Sequence, residues 1–489
     1  MMDRRRFLTF SAVGAAAGSL GACSLWSADR AAEPGGSGPA DLRMSFGPAE
    51  TDIDLGGVSV PTWAYGNQVP GPEIRLRKGQ RLHASLTNKL PGADTTIHWH
   101  GLAIPNPMDG VPVLTQPPTP VGQTFEYDFV IPDSGTYYYH SHVGTQLDRG
   151  LYGPIVIEDP DEGDAYDDEL VVVLDDWIDG TGTTPDQVLE NLRTTGMRDM
   201  GDMGPDAGIT PSTPMGGDGG DVVYPYYLIN GRVSDDPQVA DFRPGQRIRL
   251  RVINAGGDTV FVVAVPNHAM TITHTDGFPV VPEQADSVIL GMGERFDAII
   301  TLESSVPVVA AAYRKDGHAR MNLRVSNAAT GADIDDFVST LRTMVPLDTA
   351  SLAAAPEVNL PPGDPDRVID MRLAGPVDGY NWTINGRLYD PPNDGYPVEP
   401  GERVRIRYIN ESAMVHPMHL HGHTFQVMTP TGGTGADGFK PMARKDTVLV
   451  APLATIDVDI DTNNPGRWIT HCHNVYHLDA GLATFIYYE

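Results

Sequence analysis

Apolar and polar residues alternate along most of this chain. A period of two is the mark of strands with one buried face. Three segments show it in nearly the same order: Lys78–Asn88 (KGQRLHASLTN), Pro244–Asn254 (PGQRIRLRVIN) and Pro400–Asn410 (PGERVRIRYIN). Each begins with a glycine turn. They lie about 160 residues apart, too far for a solenoid and suited to duplicated domains. Shorter echoes agree. LINGRV at 228–233 matches TINGRL at 383–388, TIHWHG at 96–101 matches PMHLHG at 417–422, and GTYYYHSH at 135–142 matches GRWITHCH at 466–473.

Other stretches read as strands too: YDFVIP, GPIVIED, ELVVVLDD, SVILGM, RFDAIITL, TVLVAP and ATFIYY. The 53 glycines and 42 prolines supply turns between them. Helical periodicity is confined to short windows near 186–193 and 336–345. The pattern predicts an all-β protein of three antiparallel Greek-key β-sandwiches, near 41–162, 163–328 and 356–489, with 329–355 as a linker carrying a short helix.

Residues 1–40 stand outside this pattern. Arg4 and Arg5 followed by Phe7 and Leu8 resemble a twin-arginine export signal. Leu20-Gly21-Ala22-Cys23 resembles a lipobox, in which Cys23 would be lipidated; ordinary cleavage nearby is the alternative. Residues 27–40, rich in Ala, Gly, Pro and Ser, read as a flexible tether. The expected destination is the cell surface or periplasm, lipid-anchored or else secreted.

The formal net charge of −30 argues against nucleic acid as a partner, because phosphate would be repelled. It suits small cations and also simple solubility. With Cys23 in the signal, the exported chain keeps one thiol, Cys472, so a disulfide is not its purpose.

Fifteen histidines are distributed unevenly. Four pairs have the form His-x-His: His98/His100, His140/His142, His419/His421 and His471/His473. On a strand, residues i and i+2 face the same way. The pairs fall at matching positions of the first and third repeats, which points to eight imidazoles at one interface. Such a set calls for cations, and imidazole suits copper, zinc, iron and nickel. His83, His268, His274, His318 and His423 read as ordinary structural histidines. If His471 and His473 face the cluster, Cys472 faces away from it, toward His477 and His416. Cys with two His and a weak axial group is the blue-copper arrangement. Leu482 stands at the axial place and cannot coordinate, which favours Cu(I) and a high reduction potential.

HWHG, HSH, HPMHLHGH and HCHNVYHLDAGL resemble the four copper signatures of multicopper oxidases, the family of laccases and bacterial copper-tolerance oxidases. The resemblance covers essentially the whole exported chain. It implies three cupredoxin-like domains and four copper ions. By that similarity His416, Cys472 and His477 would hold a type 1 copper with Leu482 on its axis, and His98 and His419 a type 2 copper. One type 3 copper would take His100, His140 and His473, the other His142, His421 and His471. Exchanging the first and third domains maps each set onto the other. Substrate electrons would pass from Cys472 to His471 and His473, and O2 would be reduced to two waters. Asp109 matches the family's acid near the cluster and could relay protons; as part of Asp-Gly it is also a turn residue. Where some bacterial relatives carry Glu after the second type 1 histidine, this chain has Leu478, then Asp479.

The electron donor is less determined. Residues 197–221 place Met197, Met200, Met203 and Met215 among five aspartates, a combination suited to capturing Cu(I). Met414 and Glu411 precede His416, where copper-oxidising relatives place substrate ligands. These features favour Cu(I) or Fe(II) oxidation in copper tolerance. HLDAGL resembles the laccase form of the motif, so a phenol or aromatic amine is the alternative. A protein that only sequesters copper is a third reading, opposed by the full set of ligands. With both halves of the cluster in one chain, a monomer is expected.

Overall fold

The computed structural model describes residues 39–162, 165–196, 213–217, 219–325, 334–393, 395–430 and 439–489. Each of the three repeats is a sandwich of two sheets. In the first, Leu42–Phe46, Arg81–Thr87 and Thr124–Val130 form one sheet, and Ile74–Arg77, Tyr152–Glu158, Gly135–His140 and His98–His100 the other. The second has sheets of seven and six strands, the third of six and five. The helices are short, at Pro185–Thr195, Ile334–Leu341 and Val475–Asp479, and the first two overlap the helical windows read from the sequence. No helix among the described residues is long and apolar enough to cross a membrane. The segment expected to direct export, Cys23 included, lies outside the described residues.

The three repeat segments form the strands Arg81–Thr87, Gln246–Asn254 and Arg403–Asn410. One expectation is corrected: the sheets are mixed, not purely antiparallel. The first strand of each domain pairs in parallel with its repeat strand, as Val171 with Arg251 and Met371 with Tyr408. The cause is the route between them. In the third domain Arg367–Val377 turns back through Asn381–Ile384, the chain crosses to the other sheet at Tyr396–Val398, then returns at Arg403. A crossover returns the chain in the same direction, whereas a hairpin reverses it.

The asparagine ending each repeat serves one purpose three times. Asn88, Asn254 and Asn410 are buried, and each Oδ1 accepts the main-chain N–H two residues on. Each Nδ2 donates to carbonyls of neighbouring segments, such as those of Thr119, Leu290 and Val450. The corner's main-chain groups are thus satisfied without water. One apolar core runs through the second and third domains, a separate one fills the first, and a third joins the first domain to the second around Trp177 and Tyr138.

Candidate metal centre

The His-x-His pairs sit at the ends of strands that face each other. His98 lies opposite His140 across an antiparallel pair, and His419 lies opposite His471. The two half-sites meet at the interface of the first and third domains. His98 stacks on His421 and His100 on His419, both with ring centroids 3.7 Å apart. His142 lies 5.1 Å from His471, and His140 lies 5.2 Å from His473. Exchanging the two domains converts each of these contacts into its counterpart. Local two-fold symmetry therefore follows from the sequence repeat.

Seven of these eight histidines are buried and His142 is half-buried. Burial first, then neighbouring imidazoles, hold His100, His140, His142, His421, His471 and His473 well below the usual histidine pKa. They are neutral, as ligands must be. One nitrogen of each ring is tied to protein. Nδ1 of His98, His140, His419 and His471 bonds the carbonyls of Asp109, Ser141, Asp446 and Cys472, each at 2.8 Å. The opposite nitrogens of His98, His140 and His419 are buried with no protein partner, as are Nδ1 of His100 and His473. A buried imidazole nitrogen without a partner is costly. Five of them converging on one space fit metal ions and no protein contact. Nε2 of His471 faces Nε2 of His421 at 3.1 Å and of His142 at 3.4 Å.

Asp109 lies beneath the cluster and is fully buried. Its carboxylate is 3.0 Å from His421 Nδ1 and 3.2 Å from His98 Nδ1. It is also the turn residue that Asp-Gly suggests. Gly110 has φ +88°, and a Cβ there would meet the Ile97 carbonyl oxygen at 1.9 Å. The turn aims the carboxylate at the histidines. Sequence reasoning missed Asp446, whose Oδ1 lies 3.1 Å from His100 Nε2.

Cys472 points to the other side of its strand. Its Sγ lies 3.5 Å from Nδ1 of His477 and 3.6 Å from Nδ1 of His416, and these nitrogens are 3.2 Å apart. Three donors about 3.5 Å apart around one point match metal bonds of roughly 2 Å. All three residues and Leu482 are fully buried. Leu482 donates its main-chain N–H to the His477 carbonyl and accepts the Cys472 N–H, which closes the ligand loop. Asn474 caps the short helix carrying His477 through bonds to the Tyr476 and His477 N–H groups. Trp382 packs on both imidazoles, 4.1 Å from His477 and 5.0 Å from His416. His477 Nε2 donates to Asp221 Oδ2 at 2.8 Å, and Tyr380 donates to the same oxygen. Asp221 had no individual signal in the sequence beyond its place at the end of the methionine segment.

The expected substrate ligands fare differently. Met197, Met200 and Met203 lie outside the described residues. Met215 and Met414 are not surface thioethers, being only 3% and 4% exposed within apolar cores. Flexible methionine fills core gaps as readily as it binds metal. Glu411 is exposed, and it pairs with Arg372 at 2.8 Å. The described residues therefore do not assemble Met215, Met414 and Glu411 into one site. Leu478 packs with Val111, Leu114, Ile469 and Phe485, so it offers no second acid. Among the described residues, His83, His268, His274, His318 and His423 join none of the metal-competent groups.

Multicopper oxidase family models match residues 49–162, 168–328 and 363–489. Multicopper oxidase MmcO of Mycobacterium tuberculosis is 41% identical over 97% of this chain and 92% of its own. The chain belongs to the multicopper oxidase family. It is a copper-dependent oxidoreductase with O2 as acceptor. Copper resistance protein A of Escherichia coli is 27% identical over 98% of both chains. Among solved structures, the laccase of Botrytis aclada superposes with a TM-score of 0.74 at 24% identity, covering 93% of this chain and 88% of its own. Three cupredoxin-like domains, as the family resemblance implies, are the shared fold.

Proposed function

We propose that this oxidase takes its electrons from Cu(I), with Fe(II) as a second donor, in copper tolerance. One observation carries this reading: Arg193 and Asp221, on either side of the methionine and aspartate segment in the sequence, both bond the short helix that bears His477. On one side Arg193, in the last turn of Pro185–Thr195, donates to the carbonyl and carboxylate of Asp479, both at 2.8 Å. On the other, Asp221 accepts from His477 Nε2. Arg193 and Asp221, which flank this segment in the sequence, thus both bond residues of the helix that carries the electron-entry histidine. The sequence between them carries Asp199, Asp202, Asp206 and Asp218, whose formal charges attract cations.

In this proposal His416, Cys472 and His477 hold the type 1 copper and His98 and His419 the type 2. His100, His140 and His473 hold one type 3 copper, and His142, His421 and His471 the other, four ions in all. Bound copper supplies one-electron oxidation at the first site and reduction of O2 to two waters at the cluster. The protein's part is to join, orient and protonate. Cys472 is peptide-bonded to His471 and His473, so ligands of the two sites are sequence neighbours. Leu482 offers no donor atom, so a copper held there would have three protein ligands and a high reduction potential. Asp109 orients His421 and His98 and can hold a proton beside them. Residues 1–40 direct export through the twin-arginine route, with Cys23 as the lipid attachment point, and the folded chain acts as a monomer.

O2 uptake by the copper-loaded protein, driven by Cu(I) and separately by a phenol, tests the donor. Deleting 197–212 should cut kcat/KM for Cu(I) by about tenfold, roughly 1.4 kcal/mol, and spare the phenol. Asp109→Asn should slow both donors alike, by about 100-fold. Equal loss with both donors on deletion, or none, would count against metal oxidation. It would favour the laccase reading that HLDAGL supports.

A further inference from the structure

The middle domain contributes no histidine to the cluster, yet it touches it. Gly293 has φ +86°, and a Cβ there would lie 2.9 Å from His473 Cδ2 and 3.0 Å from His100 Cε1. Two residues on, Arg295 is fully buried. Its Nη1 and Nη2 donate to the two carboxylate oxygens of Asp446 at 2.6 and 2.7 Å. Nε donates to the Thr136 carbonyl of the first domain, and Nη1 also to the Gly293 carbonyl, each at 3.1 Å. Asp276 fixes both partners from below. Its Oδ1 accepts the Arg295 N–H at 2.9 Å, and its Oδ2 accepts the N–H groups of Asp446 and Thr447 at 3.2 and 3.1 Å. One guanidinium therefore joins all three domains.

A buried Arg–carboxylate pair is weak evidence for stability, since desolvation offsets much of its attraction. Its value lies in the fixed, planar geometry of a bidentate fork. Here the clamped carboxylate accepts from His100 Nε2 at 3.1 Å, and so does Thr447 Oγ1 at 3.1 Å, whose own hydroxyl donates to Asp446 Oδ1 at 2.9 Å and is thereby fixed by the same carboxylate. His98, His140, His419 and His471 instead tie Nδ1 to a carbonyl and leave Nε2 to the cluster. His100 is reversed: Nε2 is engaged and Nδ1 is buried without a protein partner. Without a fixed acceptor on Nε2 the ring is free to take the other tautomer, with a proton where a ligand lone pair is needed.

We infer that Arg295 is a positioning residue of the trinuclear site: by clamping Asp446 it holds His100 as the Nε2–H tautomer and presents Nδ1 to copper. This rests on the trinuclear reading above. The middle domain, which gives no residue to the metal-competent groups among the described residues, thus sets a ligand between its two neighbours.

The test compares copper per chain, the type 2 electron paramagnetic resonance spectrum and the blue type 1 absorption in copper-loaded proteins. Wild type should hold four coppers with both signatures; failure there would sink the trinuclear reading itself. Arg295→Lys keeps the charge and loses the fork. It should keep the blue absorption, lose cluster copper to a chelator about 10- to 100-fold more readily, and show a changed type 2 spectrum. Should Arg295→Lys fold poorly, the neutral pair Arg295→Met with Asp446→Asn carries the same expectation. Arg249→Met is the control, since Arg249 pairs with buried Asp297 at 2.6 Å and touches no cluster histidine. It should lower the unfolding temperature and leave the type 2 spectrum alone. A folded clamp variant with wild-type copper retention and spectrum would overturn the inference. An equal spectral change in Arg249→Met would overturn it too.

Discussion

His471 and Cys472 are consecutive residues that face opposite metal-binding pockets. His471 Nε2 lies 3.1 Å from His421 Nε2 in the cluster, while Cys472 Sγ lies 3.5 Å from His477 Nδ1 on the far side of the strand. The His471 Nδ1–H donates to the Cys472 carbonyl at 2.8 Å, so the two residues are also bridged by a hydrogen bond. Strand alternation alone places them so. An electron path between the two proposed sites would therefore be one residue long.

Cys472→Ser separates the two sites experimentally. Serine removes the thiolate and little volume, so the fold should persist. The intense blue absorption should vanish, while the cluster retains about three coppers per chain by metal analysis. Persistence of the blue band would refute the assignment of His416, Cys472 and His477.

Leu482 is fully buried and offers no donor atom. Leu482→Met is nearly volume-conserving and should cost under ~1.5 kcal/mol. It places a thioether at the axis and should lower the type 1 reduction potential, read by redox titration of the blue band. An unchanged or raised potential would contradict a three-coordinate site.

Asp297 ties the first and second domains together through Arg249 Nη2 at 2.6 Å, Arg251 Nη1 at 3.3 Å and Thr136 Oγ1 at 2.7 Å. Burial opposes its charge, but the guanidinium groups outweigh burial and hold its pKa at about 2. The folded pKa lies below the unfolded value of about 3.9. Its contribution is therefore complete above pH ~4 and is lost as pH falls toward 2. The size is about 2–3 kcal/mol. In urea unfolding, the advantage of wild type over Asp297→Asn should shrink by about that amount between pH ~5 and pH ~2. A constant advantage would mean the carboxylate is not ionised in the fold.

The four His-x-His pairs were legible because two periodicities agree on them: the alternation of a strand and the spacing of a domain repeat. Cys472 was legible because it breaks one pair. The groups behind the ligands were not. Asp446, Asp221 and Arg295 each act singly, and nothing distinguishes Asp446 in RKDTV among 64 acidic residues. Their partners lie far away in the chain, His100 being 346 residues from Asp446. Met215 and Met414 were misread for the opposite reason. Proximity in sequence to a metal site does not say which way a methionine packs. The parallel strand pairs escaped notice because alternation fixes a strand's faces and says nothing of its neighbour's direction.

In the proposed reaction electrons from Cu(I) reach O2 through Cys472, and with four protons O2 leaves as two waters. The most direct measurement is the ratio of Cu(I) oxidised to O2 consumed by the copper-loaded protein, with peroxide assayed alongside. Four Cu(I) per O2, no released peroxide, and loss of this uptake in Cys472→Ser are expected. A ratio of two with peroxide accumulating, or no uptake above that of free copper, would contradict it.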